Sequence, residues 1–145
     1  MIPSPKAVNL LKSVLKYNDF DLQKINKFIE YLLLINKKYN LISQSSQNDI
    51  WTRHILDSAQ LVKFIGFDDD SSLSDLGSGA GFPGIIISIF NKNPRFHVKL
   101  YEKSPVKAKF LEDVIKLVGL NAKVIKGDIF RQSIDSRYIV GRAFK

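Results

Sequence analysis

Residues 74–84 read Ser-Asp-Leu-Gly-Ser-Gly-Ala-Gly-Phe-Pro-Gly. An acid closes an extended run, glycines stand at alternate positions 77, 79 and 81, and Pro83 leads into the apolar run GIIISIF at 84–90. Glycines let a backbone turn sharply and come within contact of a ligand. A proline presets the first turn of a helix, whose free N–H groups favour an anion. A turn of this kind, after a strand and before a crossover helix, is where an open parallel sheet places its ligand.

Downstream of this loop, short extended stretches at 73–76, 96–101, 122–126 and 137–141 alternate with helical patterns at 83–91 and 105–118. Ser104-Pro105 opens the second of these helices and Gly119 closes it. The alternation predicts βαβαβ units and an α/β fold with a Rossmann-like parallel sheet over residues 67–145. Upstream, residues 1–66 read as a helical segment. Ser4-Pro5 starts a helix to about Lys16, with Val8, Leu11 and Leu15 at helical spacing. Asp21 is the expected cap of a second helix, whose stripe of Leu22, Ile25, Ile29 and Leu32 leaves Lys24, Lys27, Lys37 and Lys38 outward. The polar run SQSSQND at 43–49 is expected to break the pattern and cap a third helix from about Asp49 to Ile65, ended by Gly66.

Composition narrows the function. The chain has 145 residues, no cysteine, and 22 Lys and Arg against 14 Asp and Glu, a formal charge of +8. Without cysteine there is no disulfide framework, no thiolate metal site and no thiol nucleophile, which fits a reducing compartment. No apolar run approaches the roughly 18 residues that span a bilayer, and the start MIPSPKAVNL lacks the pattern of a signal peptide. Residues 1–65 carry nine basic and five acidic side chains and residues 66–145 carry thirteen and nine, so the positive charge is even along the chain. That favours either solvated lysines or a folded basic face for phosphates over a disordered arm.

Two ligands compete for the glycine loop. From Gly79, GAGFPG satisfies the dinucleotide fingerprint, with Glu102 at a suitable distance to hold a ribose. From Asp75, the loop is D-x-G-x-G-x-G. A carboxylate at Asp75 repels a pyrophosphate but attracts the ammonium and sulfonium of S-adenosylmethionine, so electrostatics favours the latter. Glu102, ending VKLYE, can accept both ribose hydroxyls or can stand as a solvated strand-end acid. Asp128 in KVIKGDIF, with Ile129 beside it, can meet an adenine amino group or form a simple Gly-Asp turn. Ahead of the sheet, WTRHILDSAQ at 51–60 puts Arg53 and Asp57 four residues apart and His54 and Asp57 three apart on a helix. They form either a surface ion pair or an anchor for RNA phosphate or for the edge of the donor site, while Trp51 and Ile55 read as core.

YNLIS at 39–43, RHILDS at 53–58, SDLGSGAGFPG at 74–84 and GRAF at 141–144 together resemble the ribosomal RNA small subunit methyltransferase G family, also called glucose-inhibited division protein B. The resemblance implies a class I S-adenosylmethionine-dependent fold behind a helical N-terminal segment. It also implies methylation of N7 of a guanine in the decoding region of 16S ribosomal RNA. Carried over by position, the donor site falls on Gly77, Phe82, Glu102, Asp128 to Phe130 and Arg142, joining Asp75, Gly79 and Gly81 from the loop chemistry. Arg142 is also the candidate for a polar catalytic role near the guanine. Arg53, His54, Lys24, Lys27, Lys37 and Lys38 are the candidates for RNA phosphates. The expected partner is 16S ribosomal RNA or the small subunit, in the cytoplasm, with no metal and no membrane, and with a monomer expected at full family length. Family members continue beyond GRAF, so the chain is expected to be C-terminally truncated, with sheet order 3-2-1-4 and RYIVGRAF as an edge.

Overall fold

The computed structural model describes residues 3–68 and 70–142, so Ala143 and Phe144 of the GRAF stretch lie outside the described residues. Helix α1, Pro5–Leu15, is opened by Ser4, whose hydroxyl accepts the Ala7 N–H at 3.1 Å. It closes on Lys16 in the left-handed region, φ 50°. Helix α2, Asp19–Asn36, is capped by Asn18, not by Asp21 as expected. Asn18 Oδ1 accepts the Asp21 N–H at 2.9 Å, and Asp21 Oδ2 accepts the Asn18 N–H at 3.3 Å. Asp21 is therefore the reciprocal half of a capping box, and its buried carboxylate also pairs with Lys92.

The single third helix expected from Asp49 to Ile65 is instead three short pieces, preceded by a fourth. The polar run is itself helical, α3 at Gln44–Asn48, because Ser43 accepts the Ser46 N–H at 3.2 Å and caps it. Asp49 then leaves helical conformation at φ −130°. A π-helical turn, Trp51–Leu56, a single α turn, α4 at Asp57–Ala59, and a 3-10 stretch, Gln60–Phe64, follow. Trp51, Ile55, Ser58 and Ala59 are buried, so one buried side runs from residue 51 to residue 59 across the change from π to α pitch, while the 3-10 stretch holds no buried residue. Gly66 lies beyond the last turn and donates its N–H to the Tyr138 hydroxyl at 2.9 Å.

The sheet holds β1 (Ser72–Leu76), β2 (His97–Glu102), β3 (Ala122–Lys126) and β4 (Tyr138–Gly141), all parallel, in the order β3-β2-β1-β4. Among the described residues β4 pairs with β1 alone, which makes it an edge, with Ile139 57% exposed. Helices α5 (Gly84–Phe90) and α6 (Pro105–Val118) form the crossovers. The register puts Ser72, Ser74, His97, Lys99 and Lys123 on one face and Leu73, Asp75, Val98, Leu100 and Val124 on the other. The polar and apolar alternation of SLSDL and HVKLY is the pattern of a sheet with one covered face.

The covered face meets α5, α6 and the helical segment in one core. Phe28 of α2 is fully buried, worth about 1.5–3 kcal/mol of burial, with its ring 5.3 Å from Phe82 and 6.5 Å from Phe110. Tyr31 stacks on Phe110 at 5.6 Å and donates its hydroxyl to Asp113 at 2.9 Å. Helix α2 is thus packed directly onto the glycine loop and α6.

Candidate donor site and its clasp

The glycine loop is suspended between the ends of β1 and β2. Gly77 and Ser78 both donate their N–H to the Tyr101 carbonyl at 3.0 Å. Gly79 donates to Glu102 Oε1 at 2.8 Å, and Gly84, opening α5, donates to Asp75 Oδ2 at 2.9 Å. The sequence reading leaves the α5 N-terminus free for an anion, but the structure gives its first N–H to Asp75. The chain supplies its own carboxylate there.

The glycines differ in task. Gly79 has φ +56°, and a side chain there would meet only the Gly77 carbonyl, at 3.8 Å, so its Cα faces open space. Gly81, at φ +100°, faces protein: a Cβ would stand 2.6 Å from Ile85 Cγ1 and 3.2 Å from the Phe28 ring. It is a packing glycine that lets α2 close on the loop. Gly84 is equally confined, since a Cβ there would collide with the Leu100 side chain and stand 2.5 Å from Asp75 Oδ2.

Asp75 is fully buried, and its Oδ1 has no hydrogen-bond partner among the described residues. Burial pushes its carboxyl up to about 6, against the lowering effect of the Gly84 N–H. The neighbouring Glu102 carboxylate pushes the same way more weakly. Glu102 is 7% exposed and takes a second amide, Ser104 N–H, on Oε2 at 2.9 Å. A carboxylate offers about four lone-pair positions. The two amides therefore orient Glu102 and leave roughly two positions for hydroxyl donors. Ser104 is a partner that motif reading missed. Its place two residues after the strand-end acid, at the cap of α6, was the available signal.

The third strand end is looser. Asp128 is exposed and accepts the Phe130 N–H on Oδ1 at 3.0 Å, capping a 3-10 turn at Ile129–Arg131. Phe130 is 81% exposed and Ile129 is half-buried.

Arg142 meets the helical segment. Its Nη1 lies 2.8 Å from His54 Nδ1, its Nη2 donates to the Arg53 carbonyl at 2.7 Å, and its Nε lies 3.7 Å from Asp57 Oδ2. The expected Arg53–Asp57 pair is thereby replaced. Arg53 turns back to Asp49 at 4.0 Å and Ser45 at 3.4 Å, and Asp57 belongs to Arg142. The imidazole of His54 stacks on Phe82 with centroids 4.6 Å apart and planes at 17°. Burial lowers its pKa to about 4, helped first by Arg142, while Asp57 opposes. Of the candidate lysines, Lys24 and Lys27 lie on α2, Lys37 is its C-cap and Lys38 follows in the turn. Lys27 and Lys37 are exposed, Lys24 is half-buried with its ammonium 5.9 Å from the Phe20 ring, and Lys38 lies 5.2 Å from the Tyr39 ring. These lysines lie on a different element from the glycine loop. Among the described residues no acidic or histidine cluster could hold a metal, and no helix is long and apolar enough to cross a membrane.

A parallel sheet in the order β3-β2-β1-β4, with a glycine loop at the end of its first strand and an acid at the end of its second, defines a Rossmann-like α/β protein. The family model for rRNA small subunit methyltransferase G matches residues 21–145, and the chain belongs to that family. It is 43% identical over 132 residues to the ribosomal RNA small subunit methyltransferase G of Pelagibacter ubique, covering 88% of this chain and 59% of that protein. The protein of the same name from Borreliella burgdorferi is 38% identical over 128 residues, covering 86% of this chain and 61% of the relative. For that of Rickettsia bellii the figures are 39% over 123 residues, 85% and 62%. The chain thus spans about three-fifths of the length of these relatives. Among solved structures, a protein-L-isoaspartate O-methyltransferase matches with a TM-score of 0.49 at 17% identity, covering 58% of this chain and 27% of that one.

Proposed function

We propose that this chain carries the donor-binding part of an S-adenosylmethionine-dependent methyltransferase that modifies N7 of a guanine in 16S ribosomal RNA, within the decoding region of the small subunit. The observation that carries the donor assignment is the pair of acids at the loop. Asp75 occupies the first N–H of α5, which a pyrophosphate would need, and Glu102 stands oriented by Gly79 and Ser104. A dinucleotide would bring two phosphate charges against two carboxyl groups, whereas a cationic donor meets an attractive field. The names of the relatives support the ribosomal RNA substrate. The guanine, its N7 and the decoding region rest on the family resemblance of the motifs.

When bound, S-adenosylmethionine supplies an electrophilic methyl group on a positively charged sulfur. Guanine N7 is a bare lone-pair acceptor. No side chain of this protein has to remove a proton before attack, and the absence of a catalytic dyad around the loop suits that demand. What the residues contribute is placement. Glu102 takes the ribose hydroxyls, the open backbone at Gly79 admits the ligand closely, and Phe82 walls the loop against Phe28 and His54. Alignment of this kind is worth up to roughly 7–11 kcal/mol. The lysines at 27, 37 and 38, with Lys24 and Arg53, form the phosphate-facing side of this reading, in a soluble cytoplasmic protein.

Calorimetric titration with S-adenosylmethionine and, separately, with a reduced nicotinamide dinucleotide tests the assignment. The first is expected to bind and the second is not, and the reverse pattern overturns it. Binding of a 16S RNA fragment is expected to weaken steeply as salt rises. A flat salt response removes the lysines from the proposal.

A further inference from the structure

His54, Arg142 and Phe82 come from three separate elements, the π-helical turn, the end of β4 and the glycine loop, and they meet at one point. We propose that His54 is a positioning residue of the donor site, a neutral imidazole that seats Phe82 of the glycine loop on one side and holds Arg142 by its Nδ1 lone pair on the other. The inference rests on the donor-site reading above and adds to it a residue and a task.

The hydrogen-bond chemistry sets the protonation state. A guanidinium has only donors, so at 2.8 Å from Arg142 Nη1 the Nδ1 of His54 is an acceptor, and the ring proton sits on Nε2. Nε2 is buried and has no partner among the described residues. A buried, unpaired N–H is costly. If stacking on Phe82 were all that this position did, an apolar ring would do it without that cost. What the imidazole adds is the acceptor for Arg142. The charged groups around the ring agree. Arg142 and Arg53 disfavour a second proton, Asp57 favours one, and the glycine loop contributes Phe82 and no charge. A protonated His54 would lose the Arg142 bond, since both partners would then be donors. The clasp therefore exists above a pH of about 4 and opens as the pH falls through that value.

The chain has two histidines, so nitrogen NMR of the full chain reads His54 against one other signal, that of exposed His97. The expected spectrum at neutral pH shows His54 with its proton on Nε2, converting to imidazolium near pH 4, with that conversion moved to higher pH in Arg142→Gln. A proton on Nδ1, or titration like that of free imidazole, overturns the clasp and needs no variant to show it. By calorimetry with S-adenosylmethionine, His54→Phe, which keeps the stacking ring, and Arg142→Gln are each expected to weaken binding at least fivefold. The double variant is expected to be no weaker than the worse single one, because both changes break one link. Less than a twofold effect of His54→Phe in a chain with native circular dichroism overturns the positioning role. If the unaltered chain binds no S-adenosylmethionine, the donor-site reading fails and the positioning role with it, while the spectrum still reports whether the clasp exists.

Discussion

At the C-terminal end of β1, Asp75, Gly81 and Gly84 are each confined by buried neighbours on both sides, and the loop between them has its N–H groups donated to Tyr101, Asp75 and Glu102. At the end of β3 a connection of the reverse order, Gly127 and then Asp128, lies in the open: Asp128 caps a single exposed turn and the Phe130 ring faces outward. One end of the sheet is over-determined and the other has slack. In the first, a side chain's role follows from what it cannot avoid touching. In the second, it depends on what comes to meet it. Substitutions at the two ends should therefore differ in kind: collapse or displaced titration at β1, and small local losses at β3.

The largest effect is expected at Gly81. Gly81→Val places a β-branched residue at φ +100° against Ile85 and Phe28. Strain and overpacking together are expected to cost roughly 2–6 kcal/mol. Thermal denaturation followed by circular dichroism should show a strongly lowered midpoint or no cooperative transition. A native-like melt would mean that the loop end of β1 is as slack as that of β3. At Gly79, where a Cβ meets only a carbonyl at 3.8 Å, the same substitution should leave more of the fold standing.

Next is Asp75. Its carboxyl, raised by burial from 3.8 to about 6, binds a proton more tightly in the folded chain than in the unfolded one. Its contribution to stability is therefore fully present below pH about 4 and is lost as pH rises through about 6. The size is at most about 3 kcal/mol at 1.36 kcal/mol per pH unit. Asp75→Asn should remove this fall between pH 4 and 6, measured by urea unfolding at several pH values. Parallel pH profiles for the two proteins would show that Asp75 is not held in a dry site.

Glu102 comes third. Glu102→Ala removes the acceptor of two amides and the proposed acceptor of the ribose, and charged hydrogen bonds of this type are worth about 1.5–3 kcal/mol. Donor affinity is expected to drop at least tenfold by calorimetry. A change under twofold would make the carboxylate a strut for the loop alone. The smallest effect is expected at Asp128, where Asp128→Ala removes one exposed cap, worth about 0.5–1 kcal/mol. A loss of donor affinity as large as that of Glu102→Ala would break the contrast between the two ends.

Much of the fold was legible because its signals are local. The strands begin or end within one residue of the expected 73–76, 96–101, 122–126 and 137–141. Proline, glycine and alternating polarity punctuate them within a few positions. The cap of α2 was harder for an equally local reason. YNDFD offers three acceptors within four residues, and backbone geometry, not residue type, gives the cap to Asn18 and the third helical position to Asp21. The pitch changes of residues 51–64 were not legible at all, since they depend on how the segment packs against α1 and α5. In the site, Asp75 and Glu102 stand at the strand ends that the motif indicated. The partner of Arg142 could not be read from spacing, because helical neighbours 53 and 57 satisfied each other on paper. The true contact depends on the sheet order that brings β4 beside β1.

That contact has a consequence for the order in which the protein is made. His54 and Arg142 are 88 positions apart. At a synthesis rate of about 5–20 residues per second, His54 waits on the order of 4–18 s for its partner to be polymerised. During that interval the helical segment can be complete, yet the ring that seats the glycine loop has no guanidinium to hold. The clasp is thus among the last long-range contacts of the described chain to become available during translation.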